Sequence, residues 1–192
     1  MNFLGAKKYI LDRLEKDLPN NLTYHGYHHT IDVYNMSIDI AENEGITDIE
    51  ELTLLKTGAL YHDCGFLKTY KGHEDESCVI ARESLVQFNY TPDQIETVCN
   101  LIHATRIPQS PQSKIEQILA DADLDYLGRD DFQSIANSLF LELKSIGALK
   151  SESEWNRIQV GFLETHRYFT HTSIGRRKKE KQKRIVELKK LM

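Results

Sequence analysis

The sequence predicts an all-α protein, on three observations. Apolar residues recur at three- and four-residue intervals through most of the 192 positions, the spacing that gathers them on one side of a helix. No stretch alternates apolar and polar residues long enough to make a half-buried strand. Helix-start signals stand where periodic segments begin. Thr91-Pro92-Asp93-Gln94 offers a capping hydroxyl, a proline at the first helical position and a reciprocal glutamine, and Ser151 with Glu154 repeats the capping pattern.

Taken in order, His29, Val33, Met36 and Ile40 form a first stripe that stops before Gly45, a usual position for a helix end. Leu52, Leu55, Ala59 and His62 form the next, closed by Gly65. A polar Lys/Gly/Glu loop follows, then an apolar stripe over 79–88, then the Thr91 capping box and the helix it starts, ending near His103. The loop 106–113 holds two of the four prolines and is the main interior break. Amphipathic helices are expected over 115–127, 132–146 and 155–169, and a strongly charged helix closes the chain. With no internal repeat and no low-complexity linker, residues 1–192 read as a single domain, a helical bundle with a basic helical tail at 174–192.

A chain of this length buries roughly two thirds of its unfolded surface and needs no external staple. Cys64, Cys78 and Cys99 show neither a CxxC pair nor a disulfide-style spacing, so they read as small core residues in a reducing setting. Without an apolar leader or a run of about 18 apolar residues, a soluble cytoplasmic protein with no membrane partner is expected. The formal charge of −5 conceals an asymmetry. Residues 176–190 carry nine Lys/Arg and two Glu, a balance of +7, leaving 15 basic against 27 acidic residues elsewhere, −12. The basic segment has no interleaved aromatics and no recognition motif, so it reads as a solvated helix face rather than a nucleic-acid-binding arm.

The informative chemistry lies in a few histidines and acids. His62-Asp63 sits inside the apolar run 54–66, where imidazole and carboxylate are poorly solvated and need a partner; a divalent cation is the natural one. His25 and His29, four apart, would share one helix face, with His28 rotated away to the surface. His29 continues the stripe to Val33 and is assigned to the metal. Among Asp121, Asp123 and Asp125, Asp123 is expected nearest the core, four residues from both Leu119 and Leu127, with Asp121 the alternative. The same segment is no EF-hand, because Tyr126 and Phe132 occupy the glycine and final glutamate positions. Walker, dinucleotide-binding and Gly-x-Ser-x-Gly motifs are absent, which excludes kinase, dehydrogenase and serine-hydrolase readings. Trp155, Phe162, His166 and Phe169 read as core at helical spacing.

The order His29, His62-Asp63, Asp123 resembles the signature of the HD-domain superfamily of metal-dependent phosphohydrolases, over roughly residues 20–130 with the helices of 131–192 packing on that core. The resemblance rests on His29-Thr30, on the dyad within Leu60-Tyr61-His62-Asp63-Cys64-Gly65, and on Ala122-Asp123-Leu124 before Gly128. It implies an HD-like bundle in which His29, His62, Asp63 and Asp123 hold a first metal, with Asp63 bridging to a second held by His73 and His103, as in members with two ions. Tyr24-His25 with His29-Thr30 is also similar to the cyclic-nucleotide phosphodiesterase motif, implying His25 as general acid, although Gly26 stands where those enzymes usually carry asparagine.

The implied activity is hydrolysis of a nucleotide or other small phosphoester by metal-activated water. Lys68, Lys71 and Arg106 flank the site in sequence as candidate phosphate-binding groups. A mixed imidazole and carboxylate set suits Mn, Fe, Co, Ni or Zn better than Mg. Two rivals share these ligands: a di-iron oxygenase of similar fold, and a nucleotide-binding regulator with little turnover. Oxygen consumption separates the first from hydrolysis, and tight binding without product separates the second.

Overall fold

A computed structural model describes residues 1–191, and among these every regular element is helical. The first, α1 (Phe3–Asp17), stands before the first predicted stripe. Asn2 caps it by accepting from the Gly5 amide at 3.1 Å, and it buries Ala6, Ile10 and Leu14 at four-residue spacing. α2 (Tyr27–Asn43) ends two residues before Gly45, where the periodicity predicted a stop. α3 (Ile49–Tyr61) is capped by Asp48, which accepts from the Glu51 amide at 2.8 Å. It ends at His62 rather than at Gly65, which lies inside a 3₁₀ turn, Cys64–Leu67.

α4 (His73–Leu85) begins at His73, six residues earlier than the apolar stripe indicated. α5 (Pro92–Ala104) carries the predicted capping box: the Gln94 amide donates to Thr91 Oγ1, and the Thr91 amide donates to Gln94 Oε1. α6 (Lys114–Asp123) stops at Asp123, and a further 3₁₀ turn, Asp125–Gly128, replaces its predicted last turn. α7 (Phe132–Ser145), α8 (Glu152–Thr165) and α9 (His171–Lys189) complete the chain, with Ser151 capping α8 and Thr170 capping α9.

Two apolar clusters form, and the boundary between them falls at Asp123. One gathers Ile10, Val33, Leu55, Leu60, Leu101, Ile118 and their neighbours from α1 through α6. The other gathers Tyr24 from the loop before α2 with Leu124, Leu127, Phe132, Trp155, Leu163 and Ile185 from the turn after α6 and from α7 to α9. The basic helix α9 is docked on that second cluster along one side. It buries Ser173, Lys181, Ile185 and Leu188, and packs on α8 and on the turn after α6. Its charges meet acids of the body: Arg177 with Asp125 at 2.8 Å, Arg176 with Asp39, and Lys189 with Glu164 at 2.5 Å. Lys181 is buried, donating to Leu163 O at 3.0 Å. The three cysteines are free and buried, as their spacing implied. No helix among the described residues is long and apolar enough to cross a membrane.

Candidate metal centre and adjoining cavity

The dyad is placed by the end of α3. His62 caps that helix, and its Nδ1 lies 2.9 Å from the Ala59 carbonyl, which sets Nδ1 as donor and leaves the Nε2 lone pair turned to the cluster. Ser77 on α4 fastens the following turn, donating to His62 O at 2.8 Å while accepting from the Gly65 amide at 2.7 Å. Only glycine allows this approach, because a Cβ at position 65 would lie 1.9 Å from the His73 carbonyl oxygen. The dyad turn and the first turn of α4 are therefore fixed against each other.

His29 from α2 and Asp123 from the last position of α6 converge on the same point. His29 Nε2 lies 3.1 Å from Asp123 Oδ1, 3.4 Å from His62 Nε2 and 3.5 Å from Asp63 Oδ2. His62 Nε2 lies 3.2 Å from Asp63 Oδ2 and 3.6 Å from Asp123 Oδ1. The donor atoms offered by His29, His62 and Asp123 all fall within 4.8 Å of one another, close enough to share one ion. Asp63 Oδ2 is buried without a hydrogen-bond partner although two imidazole nitrogens flank it. Two carboxylates and two imidazoles in this arrangement fit a divalent transition-metal ion.

The electrostatics describe the same demand for positive charge. Burial opposes an imidazolium at His62, yet the Asp63 and Asp123 carboxylates against it outweigh that and hold its pKa well above the ordinary value. Burial likewise opposes ionised Asp63 and Asp123, but the histidines prevail: Asp63 is held well below the carboxylate range and Asp123 at about 2. The two carboxylates stay ionised only against concentrated positive charge, which protons supply here and a metal would supply by displacing them.

Of the further residues singled out in the sequence, His73 is brought to the cluster. Its Nε2 lies 3.3 Å from Asp63 Oδ1, the oxygen turned away from His29 and His62. Phe66 stacks on the His73 ring, with centroids 4.0 Å apart, and on the His25 ring at 4.3 Å. His103 is not brought in: exposed at the end of α5, its Nε2 lies 3.2 Å from Asp75 Oδ1 and 3.4 Å from Cys78 Sγ. Arg106 binds the same Asp75 oxygen at 2.6 Å, while Lys68 and Lys71 are exposed, and none of the three lines the cavity described below. Arg106 Nε also lies 3.9 Å from Oε2 of Glu74, which does line that cavity.

Two geometric expectations are corrected. His25 and His29 do not share a helix face, because Gly26 caps α2 and leaves His25 in the preceding loop; their rings still meet, with centroids 6.1 Å apart. Asp123 is not the acid nearest the core. Asp121 and Asp125 are more deeply buried, and both have other duties. Asp121 accepts from the Phe169 amide at 2.9 Å and from the Thr170 amide and hydroxyl at 2.8 and 2.7 Å, anchoring the start of α9, while Asp125 binds Arg177. His28 is exposed, as its rotation from His29 implied.

One residue with no signal in the sequence holds His25. Glu142 of α7 is fully buried; its Oε2 accepts from the amides of Tyr24 and His25 at 2.8 and 3.0 Å, and its Oε1 from Tyr70 Oη at 2.9 Å and from His25 Nδ1. Burial favours the neutral acid, but His25 and the two amides win and lower the Glu142 pKa. With Nδ1 turned to Glu142, the opposite edge of the His25 ring is free for other chemistry.

Beside the cluster lies a cavity of about 300 Å³, lined at one end by His25, Asp63, His73 and Asp123 and beyond them by residues of α7 and α8. Trp155 and Phe162, read from the sequence as core, belong to the second cluster and also form part of the cavity wall. A family model described as HD domain matches residues 26–125, more than half of the chain. Comparison with the curated proteins and with the solved structures yields no match.

Proposed function

Because the chain belongs to the HD-domain family, a superfamily of metal-dependent phosphohydrolases, we propose that it hydrolyses a small phosphoester, a nucleotide among the candidates, at the cluster formed by His29, His62, Asp63 and Asp123. The observation that carries this reading is the convergence of Nε2 of His29, Nε2 of His62 and Oδ1 of Asp123 beside the unpartnered Oδ2 of Asp63. These four residues would hold a first ion of Mn, Fe, Co, Ni or Zn. A bound ion supplies charge neutralisation at the phosphoryl oxygens and a water acidified toward neutral pH.

The protein's own groups then have separate tasks. Asp63, with Oδ2 3.5 Å from His29 Nε2 and Oδ1 3.3 Å from His73 Nε2, would serve both groups of ligands. A second ion would draw on His73 and, after release from Asp75, on His103. That release gives up an existing contact with Asp75, so the second ion is expected to bind more weakly than the first. His25, its Nδ1 held by Glu142, is the proton donor to the leaving oxygen.

The test is metal analysis of protein purified without chelator, followed by phosphate release from a panel of phosphoesters, run in parallel on Asp63→Ala. Tight metal and ester hydrolysis lost together in Asp63→Ala support the assignment. Full activity in that variant refutes it, and substrate-dependent oxygen consumption by an iron-loaded protein replaces hydrolysis with oxidation.

A further inference from the structure

Away from the metal ligands the cavity wall is apolar, with Phe132, Leu139, Leu143, Trp155, Ile158 and Phe162 among its lining residues. Not one lysine or arginine is among the lining residues. Arg106 is committed to Asp75 at 2.6 Å, Arg129 to Asp32 and Asp131 at 2.8 Å each, and Lys181 to the Leu163 carbonyl at 3.0 Å. A chain of phosphates running on from the cluster would lose its water against apolar side chains with no counter-charge to replace it. An apolar body would gain by the same burial.

Size and one polar group narrow the occupant further. At about 300 Å³ the cavity is of the size that takes a small-molecule ligand. Gln159 of α8 lines it, is only 6% exposed, and has an Oε1 without any hydrogen-bond partner. Its amide nitrogen has a single long contact, 3.5 Å to Asn156 Oδ1. A buried carbonyl left in this way is satisfied by a donor on whatever fills the space.

From these features we infer that the substrate carries a single phosphoryl group on a small, largely apolar body, with one N–H or O–H for Gln159. This rests on the reading of the four-residue cluster as a metal-held phosphoryl site. Polyphosphates, nucleoside triphosphates included, are poor ligands of this cavity.

Trp155 is the only tryptophan of the chain and stands in the wall, so its fluorescence reports occupancy without turnover. Zn(II)-loaded protein is titrated with methylphosphonate, octylphosphonate and 8-hydroxyoctylphosphonate, with Trp155 emission and calorimetry as readouts. The octyl compound is expected to bind at least about tenfold more tightly than the methyl one, with a more negative heat-capacity change. Ile158→Glu, at the half-exposed rim, is expected to remove most of that advantage, and Gln159→Leu to remove the preference for the terminal hydroxyl.

Equal binding of the methyl and octyl compounds, or tighter binding of pyrophosphate or ATP than of octylphosphonate, overturns the inference. Selective octylphosphonate binding by a protein that hydrolyses no ester with any metal removes the hydrolase reading and leaves the ligand class standing.

Discussion

Replacing Glu142 separates its structural work from its effect on His25. In Glu142→Ala four donors lose their acceptor: the Tyr24 and His25 amides, Tyr70 Oη and His25 Nδ1. The Tyr24 amide is buried with its residue, whereas the His25 ring and the Tyr70 hydroxyl are half-buried and recover part of their loss from water. At about 1–3 kcal/mol for each buried orphan, the sum is about 3–5 kcal/mol of folding stability, a large share of the ~5–15 kcal/mol typical of a domain.

Glu142→Gln keeps one oxygen for the two amides but turns an NH₂ toward His25 Nδ1. The imidazole must then accept at Nδ1, and the doubly protonated ring that a proton donor requires is disfavoured. Turnover is expected to fall by about 10²- to 10⁴-fold, the usual contribution of a positioned acid, with a changed pH profile of kcat. Since the Glu142 pKa is depressed in the folded protein, the stability it contributes is present above its ordinary value of 4.5 and lost as pH falls toward the lower folded value. Urea unfolding and steady-state kinetics of the two variants decide the matter. Turnover of Glu142→Gln within about threefold of the parent protein would show that His25 transfers no proton.

Three further outcomes are expected. Gly65→Ala places a Cβ against the His73 carbonyl oxygen and is expected to cost about 3 kcal/mol or more and to weaken metal retention, because backbone rather than a flexible side chain must move; a chemical-denaturation midpoint equal to the parent's contradicts the close packing of the dyad turn. Burial and the Lys181 ammonium lower the His166 pKa to about 3, so stability present above pH 6.5 declines as pH falls toward that value, by up to about 1.4 kcal/mol per pH unit. His166→Asn should flatten that slope in a pH series of urea midpoints, and parallel curves would refute it. His103→Ala is expected to leave one tightly held ion per chain and to reduce only the second, so loss of both in metal analysis would place His103 in the first site.

How far these features can be read from the residues depends on the range of the contacts that make them. Helices follow from local spacing and capping, and α5 with its Thr91–Gln94 box matches its prediction because every determinant lies within one turn. The His62-Asp63 dyad is visible for a similar reason: an ionisable pair inside an apolar run has few uses other than binding a cation. Asp123 is the one of Asp121, Asp123 and Asp125 that reaches the cluster, as assigned, but the reason drawn from regular helix rotation, that it lies nearest the core, fails where the helix stops. α6 ends at Asp123, so extending its regular rotation to Asp125 misplaces the faces, and Asp121 is buried by an anchor 48 residues away at Phe169. Glu142 acts on His25 across 117 residues, and within its own helix it looks like any other surface glutamate. His103 has the spacing of a core-facing residue but is drawn to Asp75 on α4, a pairing that depends on how α4 and α5 cross.

The division follows the two apolar clusters. Ligands come from α2, α3 and α6 in the first, where local rules reach. The wall that would select a substrate comes largely from α7 and α8 in the second, positioned only once the two clusters meet at Asp123. Metal chemistry is therefore written in short motifs, whereas selectivity is a property of tertiary packing. Substitutions at Trp155, Ile158 or Gln159 should change which ester is cleaved without removing the metal, and those at His29 or Asp63 should remove the metal with every ester alike.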